Sequence, residues 1–519
     1  MAVDGGVVAW LGSDDVGRKQ FPDAEIVDLS GAFVAPAFVD SHVHTTSTGL
    51  LLAGLDLTSA TSLQHCLELV AEYAAVHPGH LIWGHGWDES GWPGGQPPST
   101  HDIDQLVGAR PVYLARVDVH SAQASTALRE LVSGLAGAAG FDAQVPLSAD
   151  AHHRVRAEAR RLLTREQLTD ARRAALDAAA AAGIVAVHEC AGPDIGGLDD
   201  WQELRAVEHG VEVVGYWGER VATAAQARAL IAATGASGLA GDLFVDGALG
   251  SRTAWLCEPY GDAPDHNRNW HGNCYLDSDA VTEHLLACTD AGVTAGFHVI
   301  GDAAVGAVVD AFERVVERFG APAVARCGHR LEHLEMVSAE QATKLGSWGV
   351  MASMQPNFDA LWGGDHGMYA LRLGIERAAR LNPFALLASA GVPLAFGSDT
   401  PVTGINPWRT LCAATHHQTP GSAISMRAAF AAATRGAWRA GGVRDGVTGT
   451  LIPGAPASYV VWEIGGPDCL DVNAPADAVQ RWSTDPRSRV PVLPRLGPGD
   501  ALPDCRRTVH RGAVLYDRL

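Results

Sequence analysis

The sequence predicts an α/β fold: a (β/α)8 TIM-like barrel with a small composite β-sandwich domain and a large insertion after the first barrel strand. From about Gly183 onward, short apolar or β-branched runs alternate with alanine-rich stretches, which is the pattern of a parallel sheet built from βα units. One further run precedes the insertion, so the strands are numerous enough to close a barrel. The runs lie at residues 33–39, 184–188, 211–216, 243–245, 293–298, 329–333, 349–354 and 392–396.

The two ends of the chain predict a second, smaller domain. With 519 residues, the chain exceeds the size at which a single hydrophobic core stops growing, roughly 250–300 residues. Short strand-like runs separated by Gly, Pro and Asp lie at residues 7–11, 26–29, 459–462 and 507–516. We expect residues 1–34 and 448–519 to form one composite β domain, and residues 35–447 to form the barrel.

The connection after the first barrel strand is far longer than one helix requires. Between His44 and Gly183, two more strand-like runs at residues 81–83 and 112–117 flank a segment rich in Gly and Pro at residues 90–100. Loops at the carboxyl ends of barrel strands carry the elements that shape substrate sites. We therefore predict an insertion subdomain over the barrel mouth, at about residues 50–180.

The charge balance restricts the class of partner. With 38 basic and 59 acidic residues the net charge is −21, so the long-range field repels nucleic acid and anionic membrane surfaces. The sequence contains neither a G-x-S-x-G elbow nor a G-x-x-x-x-G-K-[ST] loop, which argues against a serine hydrolase or a P-loop enzyme. We expect a small-molecule substrate, no nucleic-acid or membrane partner, and a homodimer as one candidate assembly.

The cysteines and the amino-terminal stretch predict a cytoplasmic protein. Nine cysteines form an odd, scattered set without a C-x-x-C pair, as expected for reduced thiols. The opening stretch MAVDGGVVAWLG lacks a basic segment followed by an apolar one, so it does not resemble a secretion signal.

Histidines and an aspartate at strand ends predict a metal site. His42 and His44 lie two residues apart at the end of the first strand, so both side chains face the same side. With 22 histidines in 519 residues, roughly one His-x-His pair arises by chance, and the pair is weak by itself. His298, His333 and Asp399 also end strands or follow them.

Because strand ends converge at one face of a barrel, these five side chains can meet although they are far apart in sequence. Each has a simpler interpretation, as a core histidine or as an aspartate that caps the next segment. Their joint occurrence at the right strand ends favours a divalent metal, with zinc as the first choice.

Six sequence motifs resemble a known enzyme family. They are residues 35–44 (APAFVDSHVH), 86–89 (GWDE), 246–252 (DGALGSR), 298–302 (HVIGD), 331–333 (LEH) and 397–402 (GSDTPV). In order and spacing they resemble the amidohydrolase-3 branch of the amidohydrolase superfamily, which includes YtcJ-like proteins and N-substituted formamide deformylase. The resemblance covers nearly the whole chain. It implies a barrel, a small composite β domain, one or two divalent metals and hydrolysis of amide or related C–N bonds.

The resemblance also implies a role for each ligand position. His42, His44, His298 and His333 match metal ligands, and Asp399 matches the aspartate that binds metal and transfers the proton. His333, or His120 in the insertion, is a candidate to stabilise the oxyanion that develops on the substrate.

One departure from the family pattern concerns the number of metals. The family usually has a lysine, often carboxylated to bridge two metals, four residues before Asp246, and here that position is Asp242. On a strand, Asp242 would share a face with Asp246 and point into the barrel. Since an aspartate lacks the reach of a carboxylated lysine, we expect one tightly held metal, with Asp242 as a further candidate ligand and a second ion uncertain.

Weaker signals concern the substrate. Asp246 and Arg252 fall in a loop at the barrel mouth and are candidates to orient substrate, although a purely structural turn is an equal alternative. Trp87 is one of several tryptophans in predicted loops, which favours an apolar substrate region, with packing of the insertion as the alternative.

The leading hypothesis is a metal-dependent hydrolase that cleaves an amide or formamide bond of a small, partly apolar molecule. A mononuclear cyclic amidine deaminase is the enzymatic alternative, but such enzymes of this superfamily usually place a glutamate shortly after the fifth-strand histidine, and here only Asp302 is available. A non-catalytic binding module on the same fold is the alternative from a different class, and the complete set of ligand positions argues against it.

Overall fold

A parallel barrel forms the centre of the molecule. The computed structural model describes residues 1–79, 81–263, 267–466, 469–471 and 490–519. Within these ranges, eight parallel strands follow one another in chain order around one sheet. The strands are β1 (Phe38–Val43), β2 (Ile184–Ala191), β3 (Glu212–Trp217), β4 (Gly238–Leu239), β5 (Thr294–Val299), β6 (Arg330–His333), β7 (Met351–Met354) and β8 (Leu394–Phe396).

The barrel closes between its first and last strands. The backbone N–H of Asp399 donates to the carbonyl oxygen of His42 at 2.8 Å, and that of His44 donates to Thr400 at 2.9 Å. Val43 and Thr400 form a parallel bridge at the same place. Because the closing contacts involve predicted metal ligands, closure of the barrel also positions the site.

Helices cover the outside of the barrel, and the long ones bury an apolar face against it. In Asp302–Phe319, the buried residues Val305, Val308, Phe312 and Val315 recur every three or four positions, as a helix packed on a sheet requires. From the helix that leads into β2 onward, the α-helices are Arg165–Ala181, Gly197–Arg205, Ala224–Thr234, Ser278–Ala291, Asp302–Phe319, Ala321–Cys327, Ala339–Trp348, Pro356–Trp362, Met368–Leu373, Ile375–Ala378, Phe384–Ser389, Pro407–Thr415, Met426–Ala431 and Ala437–Ala440. No helix in the described ranges is long and apolar enough to cross a lipid bilayer.

The predicted first strand is divided in two. Residues 33–39 were expected to form one barrel strand, but Phe33–Pro36 pairs with Tyr459–Glu463 in the terminal sheet, and β1 begins only at Phe38. The division lies at Ala37, whose N–H donates to Ser458 at 3.1 Å, whereas Phe38 donates to Gly183 next to β2. One continuous apolar run thus serves two sheets, which hydrophobic periodicity cannot distinguish.

The predicted fourth strand is wrong in position. It was expected at residues 243–245, but β4 is Gly238–Leu239 and the chain then turns at Gly241, which has a φ of +75° that favours glycine. Beyond this turn, Phe244 makes only one parallel bridge with His298 on β5. Asp242 therefore lies in a turn, not on a strand that shares a face with Asp246.

The insertion after β1 contains its own sheet. The strands predicted at residues 81–83 and 112–117 are present as Ile82–Trp87 and Val112–Arg116. In the described part of the insertion they belong to a five-stranded sheet with Leu55–Asp56, Ser121–Ala124 and Leu147–Ser148. The helices of this region are Thr45–Ala53, Leu63–Val76, Thr100–Val107, Thr126–Arg129 and Ala149–Arg161.

Both ends of the chain contribute to a small antiparallel sheet. Among the described residues it contains Phe33–Pro36, Tyr459–Glu463, Asp504–His510 and Ala513–Asp517. Val7–Trp10 instead pairs with Ala2–Asp4 across the Gly5-Gly6 turn, and the run at residues 26–29 forms no strand. Part of the predicted range 448–519 lies outside the described residues, and the limits of the domains stay a prediction.

Candidate metal centre

The barrel brings the five predicted ligands together. His42 lies on β1, His44 follows that strand, His298 lies on β5, His333 ends β6 and Asp399 follows β8. All five side chains are buried. The ring centroids of His298 and His333 are 4.4 Å apart, and those of His42 and His333 are 4.9 Å apart. Metal binding by these residues is a prediction that this geometry favours.

Asp242 lies at the centre of the histidines. Its Oδ1 is 3.5 Å from Nε2 of His42, 3.6 Å from Nδ1 of His298 and 3.8 Å from Nε2 of His333. Its Oδ2 is 3.1 Å from Nε2 of His44. Asp242 lies in the turn after the short β4 and not on the predicted strand, but the turn still directs its carboxylate toward the histidines.

Asp399 completes the cluster from the loop after β8. Its Oδ1 is 3.4 Å from Nε2 of both His42 and His44. Asp399 and His333 also have left-handed backbone conformations, with φ of 55° and 69°. Non-glycine residues in this region are strained and are retained where surrounding structure holds them, often at active sites.

The polar atoms at the centre fit a bound cation. Buried polar atoms are normally hydrogen-bonded, because desolvation without a partner costs about 1–3 kcal/mol each. Among the described residues, the buried atoms without a hydrogen-bond partner include Nε2 of His42, Oδ1 of Asp242, Nδ1 of His298, Nε2 of His333 and Oδ1 of Asp399. Overlapping triads of these residues have ligand atoms within 4.8 Å of one another. Imidazole and carboxylate donors suit zinc and similar divalent ions.

The carboxylates of the cluster stabilise positive charge on the neighbouring groups. Burial alone would lower the pKa of His44, but the adjacent carboxylates of Asp242 and Asp399 raise it to about 9. Burial would likewise raise the pKa of Asp242, but the facing imidazoles hold it well below its usual range. The metal-free cluster thus binds protons where we expect a metal ion.

Outer residues fix the orientation of two histidine rings. Nδ1 of His42 is 2.9 Å from Oε2 of Glu332, which is itself paired with Arg330 at 2.8 Å. Nδ1 of His333 is 2.8 Å from Oε1 of Gln355. A histidine that donates one ring N–H to such a partner presents its other nitrogen to the metal. Glu332 and Gln355 were not among the predicted site residues, although Glu332 stands in the LEH motif.

A cavity with two differently lined lobes adjoins the cluster. The lobe toward the insertion is lined by Trp83, Tyr113, His153, Arg156 and Phe244. The other lobe, called the apolar lobe below, is lined mainly by the apolar residues Leu249, Ile300, Phe358, Met368 and Val402, with Glu335 and Tyr369 as further lining residues. Asp118, His120, His298, His333 and Asp399 border both lobes. A substrate bound across the cluster would extend into both.

His120 is the predicted substrate residue that lies nearest the cluster. It follows the insertion strand Val112–Arg116, and its ring centroid is 4.9 Å from that of His298. Burial lowers the pKa of His120 well below its usual value, so the ring is neutral. A neutral imidazole carries one N–H that can donate to a substrate oxygen.

Asp246 connects two loops at the barrel mouth. Its fully buried carboxylate accepts backbone N–H bonds from Trp255, Ile300 and Gly301 at 2.8–3.0 Å. Burial raises the pKa of Asp246 to about 7, although these bonds lower it. The arrangement favours the structural alternative for Asp246, with orientation of substrate as an indirect consequence.

Arg252 and Trp87 lie away from the cluster. Arg252 is paired with Asp262 at 2.7 Å. Trp87 is buried in the core of the insertion, where its Nε1 donates to the carbonyl oxygen of Leu114 at 2.9 Å. The placement of Trp87 favours packing over contact with substrate, and a substrate role for both residues stays a prediction.

Comparisons with known proteins agree with this geometry. The model of the amidohydrolase family matches residues 25–516. A putative amidohydrolase, YtcJ of Bacillus subtilis, is 25% identical over 433 residues, which are 78% of each chain. N-substituted formamide deformylase of Arthrobacter pascens is 27% identical over 134 residues, which are 25% of each chain. The predicted resemblance to the amidohydrolase-3 branch is thereby confirmed.

A solved structure supports the same relationship. It is that of an uncharacterised metal-dependent hydrolase from Pyrococcus furiosus, which is 27% identical and has a TM-score of 0.65. The alignment covers 88% of this chain and 93% of that one. The predicted barrel fold is confirmed by this likeness and by the strand order described above.

Proposed function

This chain belongs to the amidohydrolase family, and on that premise we propose that it hydrolyses an amide or formamide bond of a small, partly apolar molecule with zinc as its metal. The proposal rests on one observation: His42, Asp242, His298, His333 and Asp399 each contribute a buried atom that has no hydrogen-bond partner in the described part of the chain. The name of the formamide deformylase relative supports the choice of bond, and the apolar lobe supports the class of substrate.

The reaction adds water across the C–N bond and releases a carboxylic acid and an amine. A divalent ion, when bound, lowers the pKa of a water molecule and polarises the substrate carbonyl. His42, His44, His298, His333 and Asp399 would hold it, with Asp242 as the central carboxylate. Asp399 borders both lobes and accepts the proton of the attacking water. It then delivers this proton to the leaving nitrogen as the C–N bond breaks.

The ring contacts distinguish two candidates for stabilising the developing oxyanion. Nδ1 of His333 is hydrogen-bonded to Gln355, and its Nε2 faces the metal ligands. Neither ring nitrogen of His333 is therefore available to donate to a substrate oxygen. His120 borders both lobes, and within the described ranges its ring nitrogens make no hydrogen bond. We therefore assign the donor role to His120, and we assign His333 to metal binding and orientation.

The deaminase alternative gains no support from the site. Its acidic candidate, Asp302, accepts a hydrogen bond from the backbone N–H of Cys257 at 2.9 Å and begins the helix Asp302–Phe319. These contacts engage the carboxylate outside the cluster.

The proposal is tested by a hydrolysis screen of zinc-reconstituted protein. N-substituted formamides, N-acyl amines and cyclic amides are incubated with the enzyme, and amine release is measured with and without a chelator. We expect chelator-sensitive release from at least one amide class. Ammonia release from cyclic amidines, without cleavage of any amide, would favour the deaminase. A protein that binds no divalent ion and cleaves nothing would favour a binding module.

A further inference from the structure

The cavity lobe toward the insertion contains an arginine whose contacts differ from those of the other arginines on its helix. The helix Ala149–Arg161 holds four arginines, and three of them form ion pairs: Arg154 with Asp150, Arg160 with Asp200, and Arg161 with Glu158. The fourth, Arg156, lines the cavity. Its one hydrogen bond within the described part of the chain is from a terminal nitrogen to the backbone carbonyl oxygen of Asp194.

Within the described structure, Arg156 has no carboxylate partner, which distinguishes it from the other three arginines of its helix. A guanidinium offers five N–H donors, and the carbonyl of Asp194 occupies one of them. The chain has an excess of 21 acidic charges, so carboxylates are abundant. Burial lowers the pKa of Arg156 below its usual range, with a further decrease from Arg160, although Tyr113, Asp194 and Asp242 partly offset this decrease. A mostly buried cation without a partner is costly unless a ligand supplies the opposite charge.

Ring contacts connect the Arg156 region to the metal centre. His153 lies one turn earlier on the same helix, and its ring centroid is 6.0 Å from that of Phe244. The Phe244 ring is in turn 5.0 Å from that of His298. Burial lowers the pKa of His153 to about 3, so it contributes no positive charge beside Arg156.

We propose that Arg156 is a specificity-determining residue that binds a carboxylate of the substrate, on the side of the scissile bond opposite to its apolar group. This inference rests on the proposed function and names its substrate class: an amide with an apolar group at one end and a carboxylate at the other. The apolar group occupies the lobe of Ile300, Phe358 and Met368, and Arg156 forms a two-pronged pair with the carboxylate.

The test compares two compounds of the same length. N-phenylacetyl-β-alanine carries the carboxylate, and N-phenylacetyl-3-aminopropanol carries a hydroxyl in its place. Binding to zinc-loaded protein is measured by calorimetry, and hydrolysis is followed separately by amine release. We expect the acid to bind at least tenfold more tightly than the alcohol. Arg156→Gln should abolish this preference, and Arg156→Lys should retain part of it because the charge remains.

Arg154→Gln is the matched control, since Arg154 lies on the same helix but is half exposed and paired with Asp150. It should keep the full preference for the acid. Equal affinity for both compounds, or no measurable binding of either, would overturn the role of Arg156. A preference that survives in Arg156→Gln would also overturn it, since the carboxylate would then bind elsewhere, for instance at the metal.

The two proposals fail in different ways. Hydrolysis of both compounds without preference for the acid would contradict the role of Arg156 and would still support the proposed function. A binding preference that depends on Arg156, without cleavage of any amide in the screen, would support the carboxylate site and contradict the proposed amide hydrolysis.

Discussion

At the scale of single residues, the site depends on which side-chain atoms face the cluster and which are hydrogen-bonded to residues outside it. Nε2 of His42 faces inward because its Nδ1 is held by Glu332, and Nε2 of His333 faces inward because its Nδ1 is held by Gln355. Asp399 is held by its backbone N–H, which donates to the carbonyl oxygen of His42, and its carboxylate faces His42 and His44. These contacts lead to three predictions.

Asp399→Asn should remove nearly all turnover. Asparagine retains an oxygen that can coordinate weakly, but it cannot accept a proton, and general acid–base groups contribute about 10²–10⁴-fold in rate. The measurement is kcat at saturating zinc, together with zinc content. Asp302→Asn is the control, since Asp302 is engaged by Cys257 outside the cluster, and it should retain activity. A kcat of Asp399→Asn within about tenfold of wild type, roughly 1.4 kcal/mol in barrier, would remove Asp399 from proton transfer.

One tightly bound metal per chain is expected after dialysis against metal-free buffer. Asp242 provides a short central carboxylate, with Oδ1 toward His42, His298 and His333, whereas a bridged pair of metals usually needs the reach of a carboxylated lysine. Metal content per chain is measured by elemental analysis for wild type and for Asp242→Ala. Two stable equivalents that are lost together in the variant would show instead that Asp242 bridges two ions.

Zinc affinity should increase with pH up to about 9. Asp242 and Asp399 raise the pKa of His44 to about 9 in the metal-free protein, so zinc must displace a proton below that pH. Each unit of pH increase up to about 9 should therefore strengthen binding about tenfold or more. Competition with a chromophoric chelator between pH 6 and 9.5 measures this. An affinity that is constant between pH 6.5 and 8.5 would contradict a protonated His44 as ligand.

At the scale of secondary-structure elements, the loops after β4 and β5 form one unit. The carboxylate of Asp246 satisfies three backbone N–H groups, and those of Ile300 and Gly301 lie directly after β5, which carries His298. The fourth strand is two residues long, so this carboxylate stabilises a region in which the sheet contributes little hydrogen bonding.

Asp246→Ala should therefore lower stability more than it changes recognition of substrate. Three buried N–H groups would lose their acceptor, and each unsatisfied group costs about 1–3 kcal/mol, so a loss of several kcal/mol is expected. Thermal unfolding of metal-loaded protein measures it, and Asp302→Asn again serves as the control. An unchanged Tm with a tenfold increase in KM would instead support direct orientation of substrate by Asp246.

At this scale, sequence periodicity located some strands more exactly than others. The sixth strand ends at His333 as predicted, whereas the fifth ends at Val299, one residue beyond the predicted end. The run at residues 33–39 was predicted as one strand because it is apolar throughout. The backbone nevertheless changes its hydrogen-bond partner between Ala37, which bonds to the terminal sheet, and Phe38, which bonds next to β2 in the barrel.

At the scale of the whole molecule, the net charge of −21 and the apolar lobe restrict the class of substrate. We expect turnover of small, uncharged or singly charged amides, and none of polyanionic ones, because the long-range field repels multiple negative charges. The measurement is kcat/KM for a series of amides that carry zero, one or three carboxylates, at low and at high salt. Turnover confined to the polyanionic members would contradict this expectation. Zinc, a homodimer and a cytoplasmic location also stay predictions.

The sequence by itself determined the barrel, the terminal sheet in outline and the positions of His42, His44, His298, His333 and Asp399. It could do so because parallel strands converge at their carboxyl ends, so polar residues that end such strands are brought together wherever they stand in the chain. Only the tertiary structure decided the rest. Asp242 is central because Gly241 turns the chain after β4, and Arg156 lines the cavity because the insertion turns one face of its helix toward the barrel. Neither placement follows from periodicity, since a turn and the packing of an inserted helix depend on contacts between distant segments.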